Sequence, residues 1–191
     1  MDDEKYQLLN QRIEALKVNF NIEVNDDNIT PQQEDLVRAF RLLCHAEIED
    51  YIEGLATKLL EDGVQIWNEN RVANYNIASL FICSEKIERN FDITQKANQL
   101  FSNYRNIIKG NHGIKEENIK KIFVPLGYKI DDFDNVFISD ISSFGTSRGQ
   151  VAHTSASTQT QQALNFDDEK LKVDHIVEGL IEFKRNLYSK L

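Results

Sequence analysis

Four residues separate Arg148 from His153 in the run Ser147-Arg148-Gly149-Gln150-Val151-Ala152-His153-Thr154. An arginine can grip a phosphate through two parallel hydrogen bonds. A histidine can accept or deliver a proton near neutral pH. Together they are the minimum equipment for cutting RNA without a metal. The pair also has an ordinary structural reading. Arg148 could pair with a glutamate of a neighbouring helix, and His153 could close its own helix, where the dipole favours a cation.

Geometry limits what the pair can do alone. Residues five apart on an ideal helix are about 140° apart around the axis and roughly 7.5 Å along it. Arg148 continues the stripe of Phe137, Ile141 and Phe144, whereas His153 falls well away from it. Two arrangements bring them onto one phosphate. The helix distorts or ends near Gly149, or two copies pack about a two-fold axis and share a site. An arginine on an apolar stripe also wants an anionic partner or an interface.

Other residues could assist. His45 and Glu49 are one helical turn apart and can touch. Arg105, Lys109, His112, Lys115, Lys120 and Lys121 make a locally basic stretch, interrupted by Glu116 and Glu117. Of these, Arg105, Lys109 and Lys115 are the candidates for contacting an RNA backbone; the alternative is a solvated helix face. No His/Cys/Asp/Glu cluster has zinc spacing, and no glycine loop is built to cradle phosphate. Neither a metal nor a cofactor is expected. Cys44 and Cys83 lack redox or metal spacing and read as reduced, mostly buried thiols.

The chain has 191 residues, 41% hydrophobic and 28% charged, which suits one globular domain. Two prolines and eight glycines are few enough to favour long helices. A net charge of -9 argues against broad, non-specific binding of nucleic acid but leaves room for a small basic site. No apolar run is long enough to span a bilayer. The acidic start, Met1-Asp2-Asp3-Glu4-Lys5, lacks the layout of a signal peptide, so the expected location is cytoplasmic.

The elements that must position these residues are helical throughout. Residues 2–20 carry Leu8, Leu9, Ile13, Leu16 and Phe20 at helical spacing. Thr30-Pro31-Gln32-Gln33 reads as a helix start with a capping box. From there a long helix is expected to about Glu61, with Leu36, Phe40, Leu43 and Glu47 on one stripe. Val37, Cys44, Ile48, Tyr51, Leu55 and Leu59 form another. A helix apolar over so wide an arc belongs at the centre of a bundle.

Shorter helices are expected over 64–70 and 74–88. The stripe from Ile93 to Ile108 ends at Gly110, and a helix from Ile114 to Leu126 ends at Gly127. Asp131-Asp132-Phe133-Asp134 offers the cap of the helix that leads to Arg148. Residues 154–165 read as a polar loop, and Asn165 or Asp167 caps a last helix through Val173, Ile176, Val177, Leu180, Phe183 and Leu187. The expected fold is all-α, with an N-terminal helix and linker over 1–28 and a helical domain over 29–191.

Three stretches, in this order and spacing, make a specific pattern: Asn111-His112-Gly113-Ile114-Lys115-Glu116-Glu117-Asn118, Pro125-Leu126-Gly127, and Arg148 to His153. With His45-Ala46-Glu47-Ile48-Glu49-Asp50-Tyr51 on the long helix, the chain over roughly 35–190 resembles the RiboL-PSP branch of the HEPN superfamily. The resemblance implies an all-α bundle that homodimerises, with Arg148 and His153 of both subunits lining a cleft. It implies a metal-independent endoribonuclease with RNA as substrate, of the kind that serves as a toxin or antiphage effector, with an antitoxin or defence-system partner. A polar residue of the long helix supports the catalytic pair in several members; Glu49 is the first candidate here and Glu47 the second, with His45 beside them. One position departs. Where HEPN toxins paired with a nucleotidyltransferase often carry a modifiable tyrosine two residues after the histidine, this chain has Ser155. The alternative from another class is a non-catalytic HEPN module that binds a partner protein or nucleotide.

Overall fold

A computed structural model describes residues 4–21, 29–84, 92–153 and 165–190, with only the backbone described over 149–153. Seven α-helices and two short 3-10 turns make up the described regular structure, and no strand occurs among the described residues. The helices are α1 (Glu4–Asn19), α2 (Pro31–Asn70), α3 (Tyr75–Cys83), α4 (Ile93–Lys109), α5 (Glu116–Phe123), α6 (Asn135–His153) and α7 (Phe166–Tyr188). The fold is all-α, as the spacing predicts.

α2 is the axis of the bundle. Its 40 residues extend about 60 Å, and it packs against every other α-helix. Thr30 caps it: the hydroxyl accepts from the Gln33 backbone N–H while the Gln33 side chain accepts from the Thr30 N–H. Val37, Cys44, Ile48, Tyr51, Leu55 and Leu59 are all buried, as their stripe requires. Burying an apolar side chain of that size stabilises a fold by about 1.5–3 kcal/mol each, so this one stripe anchors the helix at the centre.

Three expectations are corrected. α2 does not end near Glu61 but continues to Asn70, absorbing the separate segment expected over 64–70. Gly63 packs directly against Ile77 and Asn74, and Trp67 carries the buried face on. The other expected stripe is mostly surface: Phe40 is fully buried, but Leu36 and Leu43 are exposed. Cys44 is buried and Cys83 exposed, so only one of the two thiols is a core residue. Burial pushes the Cys44 thiol up to about 12, which leaves it inert at neutral pH. α3 ends at Cys83, and residues 85–88 of the segment expected over 74–88 lie outside the described residues, as does the loop over 154–164.

α1 contributes Leu9, Ile13 and Leu16 to the same core as α2 and α7. Asp134 caps α6 by accepting from the Phe137 N–H at 2.8 Å, and Asn165 caps α7 through the Asp167 N–H. No helix among the described residues is long and apolar enough to cross a membrane.

Candidate active site at the α2–α6 contact

α6 delivers Arg148 to the middle of α2. The stripe of Phe137, Ile141 and Phe144 is buried, and Arg148, one turn past Phe144, is half-buried. The Phe144 ring stacks on His45 of α2, with centroids 6.2 Å apart and planes at 23°. His45 is almost fully buried, and its Nδ1 lies 3.4 Å from Glu49 Oε2. That distance is long for a hydrogen bond, and the Nδ1 has no closer partner. The contact is a close approach set by the helix spacing.

The Glu49 carboxylate is the electrostatic centre. Burial pushes its pKa up, but the His45 contact, the backbone N–H of Gly113 and the Arg148 charge pull harder. The net effect holds Glu49 below its ordinary 4.5, so it is anionic at neutral pH. Arg148 on its apolar stripe therefore has the anionic neighbour it requires.

The loop between α4 and α5 completes the surroundings. Asn111 is buried and donates through Nδ2 to Glu53 Oε1 at 3.0 Å and to the Gly113 carbonyl at 2.9 Å. Its Oδ1 accepts from Asn118, whose own Oδ1 accepts from the Lys115 N–H. Gly113 takes φ +144°, a region L side chains rarely enter, and a Cβ there would stand 2.9 Å from Asn118 Oδ1. This network fixes the amide that meets Glu49. Asn111-His112-Gly113 follows the end of α4, and this turn makes Asn111 the support beneath the Glu49 site. Its signal was the pairing of Asn111 and Asn118 around a glycine. Glu53 is pushed upward by burial, which outweighs the Asn111 hydrogen bond, with the Glu49 and Asp50 charges adding to the rise.

The remaining candidates are dispersed. Glu47 points to α1 and pairs with Arg12 at 2.9 Å. Arg105 is engaged by both oxygens of Glu61, at 2.7 and 2.9 Å. Lys109 is exposed at the end of α4. Lys115 does lie beside α6: a Cβ on Gly145 would stand 3.1 Å from its Cγ. Of the three basic candidates, only Lys115 adjoins the helix that carries Arg148. Among the described residues no group of three or more His, Cys, Asp or Glu side chains could hold a metal ion.

The α6 backbone stays helical through Gly149 to His153, so it neither ends nor breaks there. The His153 side chain lies outside the described residues. With the helix unbroken, the Arg148 and His153 positions are about 140° apart on one cylinder.

No curated protein and no solved structure matches the chain. A family model does, the one described as RiboL-PSP-HEPN, over residues 7–188. That span takes in all of α2 to α6, the Asn111 loop and the Arg148–His153 run, and with it the chain belongs to the RiboL-PSP-HEPN family.

Proposed function

We propose that the protein is a metal-independent endoribonuclease whose Arg148 and His153, drawn from two subunits, line a shared cleft. HEPN proteins are commonly ribonucleases, which supports this reaction class. The observation that carries the reading is Arg148 set against the ionised Glu49 on a helix that continues unbroken to His153. The carboxylate supplies a negative charge near the guanidinium, whose planar fork suits a phosphate.

In the proposed reaction, His153 takes the proton of a ribose 2′-hydroxyl as that oxygen attacks the adjacent phosphorus. The P–O5′ bond breaks, and the leaving 5′-oxygen receives a proton from His153 of the second subunit. Arg148 offsets the charge that builds on the phosphoryl oxygens. The products are a 2′,3′-cyclic phosphate and a 5′-hydroxyl. The need for a 2′-hydroxyl makes RNA the substrate. Growth arrest of a host cell, held back by a partner protein, is the setting we propose.

The test is incubation of purified protein with mixed RNA in excess chelator. Cleavage with cyclic-phosphate ends supports the reading, and intact RNA across a range of protein concentrations rejects it. Intact RNA would favour a non-catalytic binding module. The acidic net charge and the bidentate engagement of Arg105 by Glu61 favour that second reading.

A further inference from the structure

The turn between α4 and α5 is braced on two helices at once. On the α2 side, Asn111 donates to Glu53 and the Gly113 N–H meets Glu49. On the α6 side, the Glu116 N–H donates to the Ser142 hydroxyl at 2.9 Å. Gly145, one turn further along α6, has no side chain to hold the turn away. A Cβ there would stand 3.1 Å from Lys115 Cγ and 3.3 Å from Ile114 Cγ1. The Lys115 stem therefore lies in a notch of α6, and Arg148 follows three residues later on the same side of that helix. Arg148 and the turn also converge on one carboxylate, since Glu49 feels both the Arg148 charge and the Gly113 N–H.

Charge pairing sets Lys115 apart. Arg12, Arg41, Lys58 and Arg105 each have a carboxylate oxygen within 2.9 Å. The carboxylates near Lys115 have partners of their own: Glu116 pairs with Lys120, Glu53 accepts from Asn111, and His45 approaches Glu49. Among the described residues no ion pair engages the Lys115 ammonium. Packing a lysine stem costs rotamer freedom, and here no internal anion offsets that cost.

We propose that Lys115 is a further substrate-contacting residue of the Arg148 site, its ammonium holding the backbone phosphate next to the one that Arg148 grips. The proposal rests on the RNA-cleaving reading above. An ammonium is a point charge without the geometry of the guanidinium fork. It suits a phosphate that is held but does not react, while the planar arginine faces the one that does. Contacts to two successive phosphates fix how the strand lies in the cleft without reading its sequence.

Binding of a 2′-O-methyl RNA oligomer of about ten nucleotides tests this, because that strand lacks the attacking hydroxyl and reports contact apart from cleavage. In fluorescence anisotropy across a range of salt concentrations, Lys115→Ala should bind roughly three- to tenfold more weakly than the parent protein, and its slope of log affinity against log salt should be shallower by about 0.7, one phosphate contact to a single strand. Lys115→Arg should restore both. Lys129→Ala removes the same charge from an exposed position ahead of α6 and should change neither. On cleavable RNA, Lys115→Ala should raise KM and hold kcat near the parent value, the mark of a contact made equally in the ground and transition states. Gly145→Ala should weaken binding with Lys115 still present, and the Lys115 variants decide the question if that chain does not fold. A parent-like affinity and salt slope in Lys115→Ala would overturn the proposal while leaving the cleavage reading intact. An equal loss in Lys129→Ala would overturn it too, as an effect of total charge, and so would a parent protein that does not bind the oligomer. If the parent binds through Lys115 yet cuts no RNA, the cleavage reading falls and the contact stands.

Discussion

Glu49 Oε2 and His45 Nδ1, one turn apart on α2, stand 3.4 Å from each other beneath the α6 segment that carries Arg148. Neither group is there to build the core, since a buried imidazole and a carboxylate are costlier than the apolar residues around them. Their spacing makes a preformed anionic floor that α6 meets with an arginine.

Glu49→Gln should preserve the shape of that floor and remove its charge. We expect RNA cleavage to fall roughly 10- to 100-fold, the worth of one charge-assisted interaction. Because Glu49 is held below 4.5, any acid limb that belongs to it lies below that value, and activity between pH 6 and 8 should not follow its ionisation. Initial rates for both proteins across pH check this. A glutamine variant that cleaves at the parent rate would remove Glu49 from the site.

Arg41 and Glu169 form a buried pair at 2.7 Å between α2 and α7, with side chains 9% and 3% exposed. Removing Arg41 leaves the buried Glu169 carboxylate with Lys172 alone, so Arg41→Leu should destabilise by at most about 3–5 kcal/mol, the cost of a fully unpaired buried charge. Arg41→Leu with Glu169→Leu should recover most of that loss. Burial alone would raise the Glu169 pKa, but hydrogen bonds from Arg41 and Lys172 bring it below its ordinary 4.5. A carboxyl lowered in the folded state adds stability that is present above its unfolded value and is lost as pH falls through the folded one. Denaturant melts should therefore show the parent protein losing stability below about pH 4.5, and the double variant losing less. Equal acid sensitivity in both would refute the pair's role.

Local chemistry was the legible part of this fold. The Thr30 capping box, the Gly110 stop and the Asn165 cap each involve residues within four positions of one another, and the structure has all three. The length of α2 was not legible, because what carries it past Glu61 is the packing of Gly63 against Ile77 and the burial of Trp67, both contacts with other elements. The same divide runs through the site. His45 and Glu49 could be paired from helix spacing alone. Asn111 could not be joined to Glu53, 58 residues away, nor Arg105 to Glu61, 44 away, without the packing of α4 and its following loop on α2. Arg148's need for an anion followed from its stripe, but which glutamate answered it came from the α2–α6 contact.

Arg148→Lys keeps the charge and loses the planar fork. A phosphate held by two parallel hydrogen bonds should then be cut on the order of a hundredfold more slowly, as when one preorganised donor is lost. Single-turnover rates on a defined RNA measure this. Full activity in the lysine variant would mean that only a point charge is needed.

The shared cleft is tested by mixing chains. Through an unbroken α6, the Arg148 and His153 positions diverge by about 140°. One subunit alone is therefore poorly placed to bring both to one phosphate. Arg148→Ala and His153→Ala should each be inactive with helical content and association unchanged. If one intact arginine and one intact histidine suffice regardless of chain, mixing the two variants should restore measurable cleavage in the heterodimers. If both pairs are required, no mixture recovers, and excess His153→Ala should instead suppress the parent protein in proportion to the mixed dimers formed. Either pattern requires dimers. Sedimentation that finds a monomer at the concentration where RNA is cut would reject the shared cleft and place the whole reaction within one subunit.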